Sequence, residues 1–241
     1  MIDIKNVTKI FGKDFKAVDG LNLTIKDGEI FGFLGPNGAG KTTTIKMITG
    51  ITEISDGDIF VDDFSIKKEH VKAKSHIGFV PDDPNVLLRL TGYEYINFIA
   101  SVYGVNALIA KERVDKYAKM FNLEGDLNDK IQSFSHGMRQ KLLVIGVLIH
   151  QPKNLILDEP MTGLDPKSAF NLKQLMRDYA DEGHTVLFST HVLEVAEKIC
   201  DRIGVINKGK LIFVGTVEQL RAQTSSEQSL EQLFLELTNN A

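Results

Sequence analysis

Gly35-Pro36-Asn37-Gly38-Ala39-Gly40-Lys41-Thr42 packs three glycines and a lysine into eight residues near the N-terminal end of the chain. It fits the phosphate-loop pattern GxxxxGK[ST] in full. Before it, Glu29-Ile30-Phe31-Gly32-Phe33-Leu34 is a short apolar run that predicts a buried strand. After it, Thr42 to Ile48 holds no Gly or Pro to stop a helix before Gly50. Strand, glycine loop and helix together let backbone N–H groups curl around phosphate oxygens at the positive end of a helix. Gly35, Pro36, Asn37, Gly38, Ala39 and Gly40 then form the cradle, with Thr43 beside it. Lys41 reaches the outer phosphates, and the Thr42 hydroxyl binds Mg²⁺. A chance fit somewhere in a chain of this length is expected on the order of 1% of the time.

Working outward, the chain has 241 residues, 43% hydrophobic and 25% charged, enough for a sizeable α/β core. Its net charge of −4 excludes a global basic field for nucleic acid. The single cysteine, Cys200, excludes an internal disulfide and a cysteine-based zinc site, and fits a reducing compartment. The opening MIDIKNVTKIF lacks the apolar core of a signal peptide, and the run Leu142 to Ile149 is far short of the ~20 residues of a membrane span.

Residues 2–34 alternate apolar and polar side chains with turn signals at Gly12, Asp19-Gly20 and Asp27-Gly28, which predicts short, partly antiparallel strands. Further strands are expected near Gly57–Val61 and His76–Val80. Helices follow: one behind the Thr91-Gly92-Tyr93-Glu94 capping box, one from Lys111 to Phe121 and one from Ser135 to Ile149. The α/β rhythm then resumes, with strands at Asn154–Leu157 and Thr185–Ser189 and helices at Pro166–Glu182 and His191–Ile199. Strands 203–206 and 211–214 flank a hairpin signal, Asn207-Lys208-Gly209-Lys210. Residues 223–228 read as a polar connector and 229–237 as an amphipathic helix.

Leu155-Ile156-Leu157-Asp158-Glu159 is an apolar strand ending in two acids, which a parallel sheet would deliver beside the phosphate loop. Asp158 suits Mg²⁺, and Glu159 suits polarising an attacking water. His191 closes the next predicted strand, where it would stand beside Glu159. Ser135 is a helix N-cap by type, but Gly137 two residues later is costly in a helix by up to ~1 kcal/mol. It fits a backbone that something, such as another phosphate, must approach closely.

The order GPNGAGKT, FSHGM, LILDEP, GLDP, STH resembles the nucleotide-binding subunit of ABC transporters over essentially the whole chain. The resemblance implies an α/β, P-loop NTPase core with an N-terminal antiparallel β subdomain and an inserted helical subdomain near 84–150, all within residues 1–222. It makes residues 35–42 the Walker A loop, Asp158 the Walker B aspartate, Glu159 the catalytic glutamate, and Gly163-Leu164-Asp165 the D-loop. His191 becomes the switch histidine, and Phe11 the aromatic that stacks on adenine, with Val18 beneath. Ser135 and Gly137 match the signature loop, which in that family meets the γ-phosphate held by a second ATPase subunit. ATP and Mg²⁺, a head-to-tail dimer and a transmembrane permease subunit on the cytoplasmic face of the membrane are implied with them. The segment 229–238 resembles the tail of exporters of drugs or peptides.

Two positions depart from the family. His136 stands where the signature has its first glycine, and Asp82 stands where the family carries a Q-loop glutamine. The shorter acid could approach Mg²⁺ with reduced reach. A soluble ATPase of the iron–sulfur-assembly type is the alternative of the same size. A GTPase is set aside, because Asn207-Lys208-Gly209-Lys210 lacks the acid of a guanine reader.

Overall fold

The computed structural model of this chain describes residues 1–222 and Phe234. The alternating segment at the start forms β1 (Ile2–Phe11) and β2 (Phe15–Ile25), and the apolar run before the glycine loop forms β3 (Ile30–Leu34). Helix α1 (Lys41–Ile48) leaves the loop, followed by β4 (Asp56–Val61), β5 (Phe64–Ser65), α2 (His70–Ser75) and β6 (Ile77–Val80). Three helices come next: α3 (Gly92–Val102), α4 (Ala107–Phe121) and α5 (His136–Ile149). The chain then alternates through β7 (Asn154–Leu157), α6 (Pro166–Asp181), β8 (Thr185–Thr190), α7 (Leu193–Ile199), β9 (Arg202–Asn207), β10 (Lys210–Gly215) and α8 (Val217–Arg221).

The strands form two sheets. One is antiparallel, in the order β2-β1-β4-β5; the other runs β10-β9-β3-β8-β7-β6, parallel except for the β9–β10 hairpin. Parallel strands covered on both faces must be apolar throughout, and every residue of β3, β7 and β8 is buried. Phe31, Phe33 and Phe188 lie almost wholly out of water, each stabilising the fold by roughly 1.5–3 kcal/mol. One core, with Val7, Val18, Ile45 and Ile59, fills the space between the sheets. Another joins α3, α4, α5 and α6 to the far face of the parallel sheet.

Local chemistry sets several boundaries. Thr91 accepts the Glu94 N–H while the Glu94 side chain accepts the Thr91 N–H, the reciprocal cap read from the sequence. Some expectations need correction. Asp19-Gly20 lies inside β2, where Gly20 has φ +64° and the pairing with β1 shifts between Val7↔Leu21 and Lys9↔Val18. It is a strand irregularity, not a turn. Helix α4 begins before Lys111, because the Asn106 side chain caps it on the Leu108 N–H. The helix expected from His191 begins at Leu193. The connector and terminal helix expected at 223–237 lie outside the described residues apart from Phe234, which packs against the cluster of Leu193, Ile203 and Phe213. No helix among the described residues is long and apolar enough to cross a membrane.

Candidate functional site

The parallel order β3-β8-β7 brings three strand ends together: Leu34 before the glycine loop, Thr190 paired with it, and Leu157 paired with Phe188. The loop and the acids are therefore separated by one strand, β8, which carries Ser189 and ends just before His191.

The glycine loop is held from behind. A side chain on Gly40 (φ +111°) would sit 2.6 Å from the Ala17 carbonyl, so both its backbone angle and its surroundings demand glycine. Gly209, at the tip of the β9–β10 hairpin, donates its N–H to the Ala39 carbonyl and accepts the Asp19 N–H, both at 2.9 Å. The hairpin read from Asn207-Lys208-Gly209-Lys210 thus clamps the loop to β2. Lys41 is buried, its Nζ donating to Gly35 O at 2.6 Å and Pro36 O at 3.3 Å and standing 3.7 Å from Glu159 Oε1. Burial lowers its pKa, against the raising effect of Glu159 and Asp158.

Asp158 is fully buried at the end of β7. Its Oδ1 accepts the Ser189 hydroxyl at 2.5 Å, and Ser189 in turn accepts the Glu159 N–H at 2.9 Å. Among the described residues nothing hydrogen-bonds Asp158 Oδ2. A buried carboxylate oxygen without a donor is costly unless a cation or water meets it. Burial raises the Asp158 pKa, the Ser189 and Thr42 hydroxyls oppose the rise, and the charges of Asp82 and Glu159 add to it. Thr42 and this oxygen fit Mg²⁺, which takes one or two protein oxygens and completes its shell with phosphate and water. No group of three or more acidic, His or Cys side chains that could hold a metal occurs among the described residues.

Glu159 has φ +47°, a backbone conformation that L side chains adopt at a cost of order 1–3 kcal/mol and that clusters at functional sites. Its Oε2 stands 3.1 Å from His191 Nδ1. The strand order inferred from sequence brings these two together.

Other expected site residues are placed differently. Phe11, at the end of β1, is 43% exposed with the Lys9 ammonium 4.9 Å from its ring centroid, so it offers an aromatic surface. Val18 offers none: it is fully buried and packs behind Gly40. In this structure it supports the loop rather than lying open to a base. Asp82 is exposed in the loop after β6, its Oδ1 accepting the Asp83 N–H, and it reaches Asp158 through its charge. Asp165 caps α6, and the Ser168 hydroxyl and N–H, with Lys141, draw its carboxyl to about 2 despite a slight opposing effect of burial. Ser135 caps α5 on the Met138 N–H. A side chain on Gly137 would meet the Gly163 carbonyl at 2.4 Å, so the group that closely approaches this glycine is the chain's own D-loop. Of Pro84–Leu90, Val86, Leu88 and Leu90 turn into the core, leaving Leu87 47% exposed. A groove of about 210 Å³ beside α3 is lined by Ile51, Lys74, Phe79, Ile99, Tyr103 and His150 among others. Nothing in the sequence around Ser189 or Gly209 gives them these roles, because no local pattern marks a contact between distant strand ends.

A glycine loop on β3, a buried aspartate on β7 and an adjacent glutamate–histidine pair define a P-loop nucleoside triphosphatase. The ABC transporter family model matches residues 18–162. The chain is 42% identical over 221 residues to the uncharacterized ABC transporter ATP-binding protein YhcH of Bacillus subtilis (strain 168), covering 90% of this chain and 70% of that protein. It is 39% identical over 220 residues to the linearmycin resistance ATP-binding protein LnrL of the same organism, covering 91% and 70%. To the probable multidrug ABC transporter ATP-binding protein YbhF of Escherichia coli (strain K12) it is 35% identical, spanning the whole chain and 42% of YbhF. A solved ATP-binding subunit of an ABC transporter superposes with a TM-score of 0.93 at 29% identity, covering 99% of both chains. The dimeric ATP-binding cassette MJ0796, in a post-hydrolysis state with ADP and phosphate, superposes at 0.80 and 27% identity, covering 90% of this chain and 98% of that one. The chain belongs to the ABC transporter family as an ATP-binding, ATP-hydrolysing subunit.

Proposed function

We propose that this chain hydrolyses ATP with Glu159 as the group that polarises the attacking water, and that it drives a permease subunit that exports drugs, peptides or other small amphipathic substrates. The observation that carries the catalytic reading is the meeting of Lys41, Glu159 and His191 at one edge of the parallel sheet. Lys41, with the loop N–H groups of residues 35–43, binds the phosphates; ATP exchanges the carbonyl partners of its ammonium for phosphate oxygens. Thr42 and Asp158 would hold Mg²⁺, with Asp82 at the margin, and the bound ion would supply positive charge where negative charge develops on the phosphates. Glu159 accepts a proton from water, and His191 steadies the glutamate and senses the γ-phosphate. Phe11 stacks on adenine, over a loop that Val18 supports from behind, and a stacked ring reads the face of the base without its polar edge.

Two chains would pair head to tail, Ser135 and Gly137 of one meeting ATP held by the other, with Asp165 near the junction. The dimeric cassette of similar fold supports this pairing. The permease reading rests on exposed Ile51, Phe98, Val102 and Tyr103 around the apolar groove beside α3, an exposed patch suited to an amphipathic helix. The names of LnrL and YbhF, a resistance protein and a probable multidrug transporter, support the export reading. In it the chain would sit peripherally at the cytoplasmic face of the membrane, with residues 1–222 as the ATPase domain and 223–241 as its tail.

Glu159→Gln tests the centre of the proposal. It keeps size but removes proton-accepting power, so turnover should fall by roughly 10²-fold or more while ATP binding survives. Normal hydrolysis by Glu159→Gln would remove Glu159 from this role.

A further inference from the structure

The start of α5 and the D-loop interlock within one chain. An added Cβ at Gly163 would lie 2.5 Å from Cδ2 of the His136 ring, and the Gly163 carbonyl fills the space beside Gly137. Gly163 has φ +76°, so the backbone there is already one that other residues resist. Lys141, one turn further along α5, stands 3.6 Å from Asp165 Oδ2. Backbone turns tie this block to the catalytic edge: Thr162 donates to Glu159 O at 3.2 Å and Leu164 to Met161 O at 3.3 Å. Met138, Met161 and Leu164 pack against the same core.

We propose that His136 is a positioning residue for hydrolysis: its ring seats Gly163 and thereby fixes the segment that carries Glu159. The position matters because Glu159 has a left-handed backbone that its surroundings must hold. A glycine at 136, as the signature pattern has, would supply no ring there. The inference rests on the reading of Glu159 as the catalytic carboxylate and adds a residue that acts through Gly163 rather than on Glu159 itself.

The test uses the purified full chain. His136→Gly is expected to lower kcat by about three- to ten-fold with KM for ATP changed less than about two-fold, a size typical of slight misplacement of a catalytic group. His136→Phe, which restores a flat ring without its nitrogens, should return at least half of the lost kcat. Gly163→Ala should be impaired, and His136→Gly in the same chain should relieve part of that defect by removing the atoms the new methyl meets. Hydrogen exchange supplies a readout independent of turnover: residues 159–165 should exchange several-fold faster in His136→Gly, with α1 unchanged. Normal kcat together with normal exchange in His136→Gly overturns the inference, as does a Gly163→Ala defect that His136→Gly leaves undiminished. Glu159→Gln assayed in parallel separates the two failures, since its normal turnover would overturn the catalytic assignment itself.

Discussion

The Ser189 hydroxyl donates to Asp158 Oδ1 at 2.5 Å, and Ser189 Oγ itself accepts the Glu159 N–H at 2.9 Å, so one buried serine fixes both acids of the site. Ser189 lies near the end of β8, the strand that separates the glycine loop from β7, so the link to both acids comes from the side of the sheet that faces the loop.

Ser189→Ala removes a donor from a buried carboxylate and an acceptor from a strained residue. Leaving such groups unpaired costs about 1–3 kcal/mol each. Urea unfolding should show a loss in that range, and ATP turnover should fall by roughly ten-fold or more as Glu159 drifts. A variant with native stability and native turnover would show that β7 alone places the acids.

Asp82 offers a smaller effect. It is exposed, its carboxylate accepts the neighbouring Asp83 N–H, and it acts on Asp158 through its charge. Asp82→Ala should keep ATP binding, lower turnover by roughly three-fold and shift the Mg²⁺ concentration for half-maximal rate, since exposed charges contribute modestly. Asp82→Gln should recover much of the rate. Identical Mg²⁺ curves for Asp82→Ala and the unaltered chain would assign the position to the loop backbone.

The contrast between Asp82 and Ser189 shows what the sequence made legible. Features with a local cause were readable: the Thr91 cap, the apolar runs at 30–34 and 154–157, and the glycine loop with its helix. Their side-chain period or backbone need lies within a few residues. Glu159 and His191, 32 positions apart, could be joined because parallel strand order is a rule of such sheets. Ser189 on Asp158, Gly209 on Ala39 and His136 on Gly163 were not readable, because each contact depends on the packed register of distant segments. Gly137 illustrates the limit well: the sequence showed that something must come close, and only the fold identified it as the Gly163 carbonyl.

His150 gives the pH dependence of stability. It stacks on Tyr103 with ring centroids 3.6 Å apart, and burial pushes its pKa down from 6.5 to about 4, against a raising hydrogen bond to Ile77 O. Below pH 6.5 the unfolded chain takes up a proton that the folded chain refuses. This group's contribution is therefore fully present above about pH 6.5 and is lost as pH falls towards 4. Urea midpoints should drop between pH 7 and pH 5, and His150→Asn should flatten that slope. An equal slope in both chains would place the acid sensitivity elsewhere.

The head-to-tail pairing makes hydrolysis depend on two chains. Ser135 and Gly137 contact α5 and the D-loop of their own chain, not their own glycine loop. If they act on ATP, they must act on ATP held by another copy. Hydrolysis at low protein concentration should then rise more steeply than in proportion to the chain, and level to proportionality once dimers dominate. Ser135→Ala mixed with Lys41→Ala supplies a sharper version. Pairing the two leaves one composite site with both defects and the other with neither, so a mixture of two weak variants should hydrolyse ATP faster than either alone. Specific activity independent of concentration, in a chain that light scattering shows to be monomeric, would remove the two-chain site and leave each chain to complete its own chemistry.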